Sequence, residues 1–155
     1  MLTRIFRVLH LIENSLLIAA LVTMLAMAVM QIIMRNFMDA GFLWAESFQR
    51  ILVLWVAILG ALVATRERHH INIDALTRFL SSRGRRIVNL VNNVLAGIIC
   101  AIVAWYSVEF ISYEYQDETI AFANVPTWLC QSILPIGFTG MSIRFLVSGF
   151  QGIPD

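Results

Sequence analysis

A chain of 155 residues with 59% hydrophobic and 14% charged residues falls well short of the roughly one quarter charged that soluble domains carry. Its net charge of +1 supplies no global attraction for nucleic acid. Two cysteines, without CxxC or zinc spacing, give neither a disulfide framework nor a structural metal site.

Apolar runs of about twenty residues, enough to cross roughly 30 Å of hydrocarbon, instead predict an all-α membrane protein of four transmembrane helices in one domain, residues 1–155. The first span is expected at 12–34. Its basic start, Arg4 and Arg7, resembles a signal peptide, but the apolar run is longer than a signal h-region of about 7–15 residues. An uncleaved span follows. Glu13 and Asn14 stand at its beginning, read as a helix end at the interface or, if deeper, as a proton-coupling carboxylate.

The second span, 44–65, has an apolar body from Ile51 to Ala64 and must recruit Trp44 to Arg50 to reach across. Glu46 and Arg50 then lie one turn apart on one face, either as a surface pair or turned inward to fix a neighbouring helix. Trp44 suits the interfacial belt and Trp55 suits packing. Ala57, Gly60, Ala61 and Ala64 supply the small-residue spacing by which membrane helices approach closely.

Residues 66–86 then hold six arginines with His69 and His70. Ile71, Ile73 and Leu76 interleave with the charges, which predicts a short basic amphipathic segment on the membrane surface. Asp74 suits its start. Adjacent histidines point different ways on a helix and make a poor metal pair.

The third span is expected at 87–111. Asn89 with Asn92 or Asn93 gives it a polar face that should look at protein. An acidic loop, Glu109 to Asn124, leads to the fourth span at 125–147. There Pro126 suits a first helical turn, Pro135 should kink the interior, Gly137 and Gly140 follow closely, and Arg144 can snorkel to the edge. Eight of the eleven arginines lie in the N-terminal segment and the 66–86 loop. The positive-inside rule therefore places both termini in the cytoplasm, N-in and C-in.

No nucleophile–base pair, phosphate loop or haem motif is present, and the three histidines lie outside the spans. The expectation is no enzyme, no cofactor and no metal. No span carries an ionisable residue at its centre, where ion pathways usually show one.

The order Trp44-x-Glu46-x-x-x-Arg50, Trp55, Ile58-Leu59-Gly60-Ala61, His70-Ile71-x-Ile73-Asp74, then Val125-Pro126-x-Trp128, Leu134-Pro135-Ile136-Gly137-Phe138 and Arg144 resembles the small membrane subunit of TRAP (tripartite ATP-independent periplasmic) transporters. Ser47 stands where that family commonly has a second acidic residue, and Ile58 where it has Phe.

The resemblance implies a multi-pass protein of the bacterial inner membrane. Its partners would be a large, many-span transport subunit, a periplasmic substrate-binding protein and the lipid bilayer. The whole complex would import an organic acid, such as a dicarboxylate or sialic acid, with sodium. The small subunit would be an accessory scaffold that stabilises the large one and helps dock the binding protein. Trp44, Glu46, Arg50, Trp55, Gly60, His70, Asp74, Asn92, Pro126, Trp128, Pro135, Gly137 and Arg144 are its candidate structural and partner-interface residues. The competing readings are an autonomous proton-coupled exporter working through Glu13, and a haem- or quinone-binding anchor of a respiratory enzyme.

Overall fold

The computed structural model of the protein describes residues 2–37, 44–67 and 82–151. Residues 68–81 of the basic amphipathic segment, with His70 and Asp74, lie outside the described residues, and residues 82–86 open a helix. Among the described residues four stretches are helical, long and apolar enough to cross a membrane: Val8–Phe37, Ala45–Arg66, Arg86–Gln116 and Thr127–Gly149. The first belongs to α1 (Leu2–Phe37), the second to α2 (Ala45–Glu67) and the third to α3 (Ser82–Gln116). The fourth is split into α4 (Thr127–Gln131) and α5 (Ile133–Gln151).

The helix break comes from Pro135. A proline has no N–H to give to the carbonyl four residues back, and its ring clashes with that carbonyl. The carbonyl in question is that of Gln131, the last residue of α4. The chain turns at Ser132, whose N–H reaches Leu129 O at 3.4 Å while its hydroxyl donates to the same oxygen at 2.7 Å. Restarting at Ile133 puts Pro135 in the first turn of a new helix, where the missing donor costs nothing. Pro135 was expected inside one kinked helix; it sits just after an interruption instead. Pro126 differs too. It is the extended residue before α4 (φ −69°, ψ 141°) rather than part of its first turn.

The acidic stretch is not all loop. Helix α3 continues through Glu109 and Glu114 to Gln116. A small antiparallel hairpin follows, β1 (Ile120–Phe122) and β2 (Val125–Pro126), with Phe122 opposite Val125. Its two-residue turn, Ala123 (φ 41°) and Asn124 (φ 69°), has the two positive φ angles of a type I′ connection. Thr127 N–H donates to Thr119 O at 2.9 Å and carries the pairing up to α4.

The helices stand in a row, α1–α2–α5–α3. The most extensive packing is α3 on α5, then α1 on α2, then α2 on α5. The core lies on the α2–α5 seam: Ile58, Leu59 and Leu62 of α2 against Ile133, Met141 and Phe145 of α5. Gly137 permits that seam, since a Cβ there would overlap Ile58 Cγ2. The α3–α5 seam is equally close. A Cβ on Gly97 would stand 2.9 Å from Leu146, and Ser142 donates across it to Gly97 O at 2.9 Å.

Helix α1 is held on one narrow stripe. Its less exposed residues from His10 onward, His10, Glu13, Leu17, Ala20, Met24, Met27, Ala28, Gln31 and Met34, lie on one face. This is the seam of two helices crossing at a shallow angle. The large residues that face outward along it are mostly Val, Leu and Ile, suited to lipid.

Candidate functional site

The candidate residues gather at the two ends of the row, with a stripe along α2 between them. At the end where α2 begins and α3 finishes, aromatic rings dominate. Trp44 stacks on Phe122 of the hairpin (centroids 6.4 Å), and Phe48 meets the same ring edge-on at 4.9 Å. Trp128 packs edge-on against Tyr115 at 5.6 Å. Such pairs add about 0.5–1.5 kcal/mol beyond their buried area. Deeper in α2, Trp55 Nε1–H donates to Cys130 O at 2.9 Å. That carbonyl lies in the last turn of α4, where no helical donor follows across the break, so an indole takes over. Trp44 and Trp55 thus tie α2 to the hairpin and to α4, at either end of the Val125-Pro126-x-Trp128 segment.

The opposite end is ionic. Arg144, expected to snorkel outward, turns inward instead. One guanidinium nitrogen pairs with Glu13 Oε1 of α1, and the other donates to Leu62 O of α2 at 2.6 Å. Glu13 is 8% exposed. Its other oxygen, Oε2, is buried without a hydrogen-bond partner among the described residues. Beside this pair, Arg66 donates to Asn14 Oδ1 at 3.2 Å. Thr65 donates to the same Leu62 carbonyl at 2.7 Å. Three helices therefore meet on one half-buried guanidinium paired with a buried carboxylate, an environment in which a charged pair is costly to break.

The sequence reading treated Glu13 and Arg144 separately and missed their pairing. A signal was available. Each is an isolated charge near the end of an apolar run, and the charge-bias rule sends both ends to the same side.

On α3, Asn93 donates to Asn89 at both its backbone and side-chain oxygens (2.9 and 3.0 Å). Both are half-buried, Asn93 beside Gly149, whereas Asn92 is exposed. The polar face towards protein is therefore the 89/93 pair. Glu46 and Arg50 are both exposed, and no ion pair joins them among the described residues. Gly60 faces open space: a Cβ there would meet nothing within 4 Å. Among the described residues no cluster of three or more His, Cys, Asp and Glu side chains could hold a metal.

Residues 24–154 match the family described as tripartite ATP-independent periplasmic transporters, DctQ component. The chain is 30% identical over 108 residues to the C4-dicarboxylate TRAP transporter small permease protein DctQ of Rhodobacter capsulatus, covering 69% of this chain and 48% of that protein. It is 23% identical over 150 residues to the sialic acid TRAP transporter small permease protein SiaQ of Vibrio cholerae, covering 94% and 83%. A third relative, the isethionate TRAP transporter permease protein DctMQ of Oleidesulfovibrio alaskensis, is 26% identical over 108 residues. That match covers 69% of this chain but only 17% of the relative. The chain thus spans about half of the first relative and a small part of the third.

Proposed function

The chain belongs to the DctQ component of the tripartite ATP-independent periplasmic transporters, and we propose that it works there as a scaffold for a large permease that imports an organic acid with sodium. A small permease subunit of this family is a transporter component, not an enzyme. The observation that carries the scaffold reading is the use made of buried polarity. Glu13, Arg144 and Trp55 are engaged in holding α1, α2, α4 and α5 to one another. A residue locked in a three-helix tie is poorly placed to bind and release a travelling ion.

The named substrates of the relatives, C4-dicarboxylate, sialic acid and isethionate, are all organic acids, which supports an acid as cargo. The DctMQ relative carries a matching segment within a far longer permease chain, which supports a large permease as the partner. Arginine bias supports cytoplasmic termini and an outward-facing hairpin, within reach of a periplasmic binding protein.

The reading is tested by reconstitution. The chain and a co-expressed large permease should purify together and, with a binding protein present, take up labelled organic acid under a sodium gradient. Liposomes holding this chain alone should show no uptake. Uptake by the chain alone would overturn the reading.

A further inference from the structure

We infer that water enters a recess between α1 and α2 from the arginine-rich side and reaches the Glu13–Arg144 pair, at a depth where the two outer helices of the row face lipid. The ligand class is water, with the small hydrated ions it carries. The recess goes beyond the scaffold reading and does not depend on it.

Register fixes the depth. Ser142 donates to Gly97 O, and Leu146 lies against the point where a Cβ on Gly97 would stand. Arg144, between those two on α5, is therefore level with Gly97. Helix α3 carries no charged residue between Arg86 and Glu109, and Gly97 is near the middle of that stretch. It stands about 16 Å along the helix from Arg86 at 1.5 Å per residue, close to half of the roughly 30 Å of hydrocarbon.

Helix α1 agrees from the other edge of the row. Val8, Leu9, Leu11 and Ile12 all precede Glu13, and all are exposed. Surface of the kind lipid accepts thus continues for more than a turn past the carboxylate. On both outer helices the ionic junction lies inside the lipid-covered length, not at its edge.

Two observations put water beside it. Glu13 is 8% exposed, and its Oε2 has no hydrogen-bond partner among the described residues. A buried carboxylate oxygen without a donor is costly, and ordered water is the common remedy at a polar site. Secondly, α2 ends at Glu67, and the bond from Arg66 to Asn14, next to the junction, is itself exposed. A guanidinium and a carboxamide open at that depth would face acyl chains unless water came to them. Thr65 and Arg66, between Leu62 and the end of α2, stand along the way in.

The test uses the full chain co-expressed with the large permease, in membrane fragments open to reagent on both faces. Asn14→Cys and Thr65→Cys probe the recess. Leu95→Cys and Ile98→Cys, exposed on α3 at a similar depth, probe the lipid face. Each recess variant gives up one side-chain hydrogen bond and leaves the Glu13–Arg144 pair intact. A membrane-impermeant cationic thiol reagent should modify positions 14 and 65 about tenfold or more faster than 95 and 98, because its charge enters hydrocarbon at high cost. Cys100 and Cys130 of the unaltered chain set the background. A spin label at 14 should collide with a water-soluble nickel complex, and one at 98 with dissolved oxygen.

Slow modification at all four positions would overturn the recess. So would fast modification at all four, which would put the membrane edge at this depth around the whole row. A label at 14 that meets oxygen rather than nickel would do the same. Each of these outcomes leaves the scaffold reading standing.

Discussion

Arg144 holds two helices at once, through Glu13 of α1 and the Leu62 carbonyl of α2. Removing it leaves a buried carboxylate without its partner and takes one side-chain donor from the Leu62 carbonyl, which keeps Thr65. Arg144→Ala should therefore cost about 3 kcal/mol or more, read as a lower midpoint in detergent-induced unfolding. Glu13→Gln should cost less, because an amide oxygen still accepts from the guanidinium. Exchanging the two, Glu13→Arg with Arg144→Glu, should recover part of the loss. A swap no better than the single variants would show that the pair is not the tie described. Single residues were the least legible part of this sequence. Glu13 and Arg144 are 131 positions apart, and nothing local to either says that α1 and α5 approach at the same depth. Trp55 was readable as a packing residue, but its acceptor, Cys130 O, lies 75 positions away beside the break between α4 and α5.

Among the elements, the long helices followed directly from the apolar runs, since no other structure satisfies a backbone in lipid. The hairpin did not. Strands of three and two residues are too short to show an alternating pattern, and the stretch reads as a polar connection. Its one local clue is Asn124, a residue that tolerates positive φ. Ala123 tolerates it less well, at roughly 1–2 kcal/mol for a residue with a Cβ. Ala123→Gly should relieve part of that cost and raise the thermal midpoint by a few degrees. Ala123→Val should lower it and loosen Phe122 from Trp44 and Phe48, visible in tryptophan fluorescence. The same level of reading located the fourth span but not its division, because a proline inside an apolar run is compatible with either a kink or a restart.

For the molecule as a whole, the row of helices has two broad faces. Just 6% of the most apolar window of α1 is buried within the chain, against 33% for the last span. Such a layout gains little from its own interior. It depends on its surroundings to cover its faces, as a closed bundle would not. Side-specific labelling tests the orientation. In spheroplasts, Glu118→Cys should react with a membrane-impermeant maleimide, while Arg4→Cys should react only after permeabilisation. The reverse pattern would invert the assignment drawn from the arginine distribution. Native Cys100 and Cys130, half-buried and buried, set a low background for the measurement.

The length of α3 carries a consequence of its own. Its 35 residues make a rod of about 52 Å at 1.5 Å per residue. Hiding such a rod in roughly 30 Å of hydrocarbon would need a lean steeper than the 0–40° that spanning helices adopt. It must overhang. Beyond the end of the apolar run the overhang carries Glu109, Tyr113 and Glu114, and Thr119, just before the hairpin, donates to Glu114. A water-soluble protein arriving from that side would touch down on this acidic ledge before reaching the lipid.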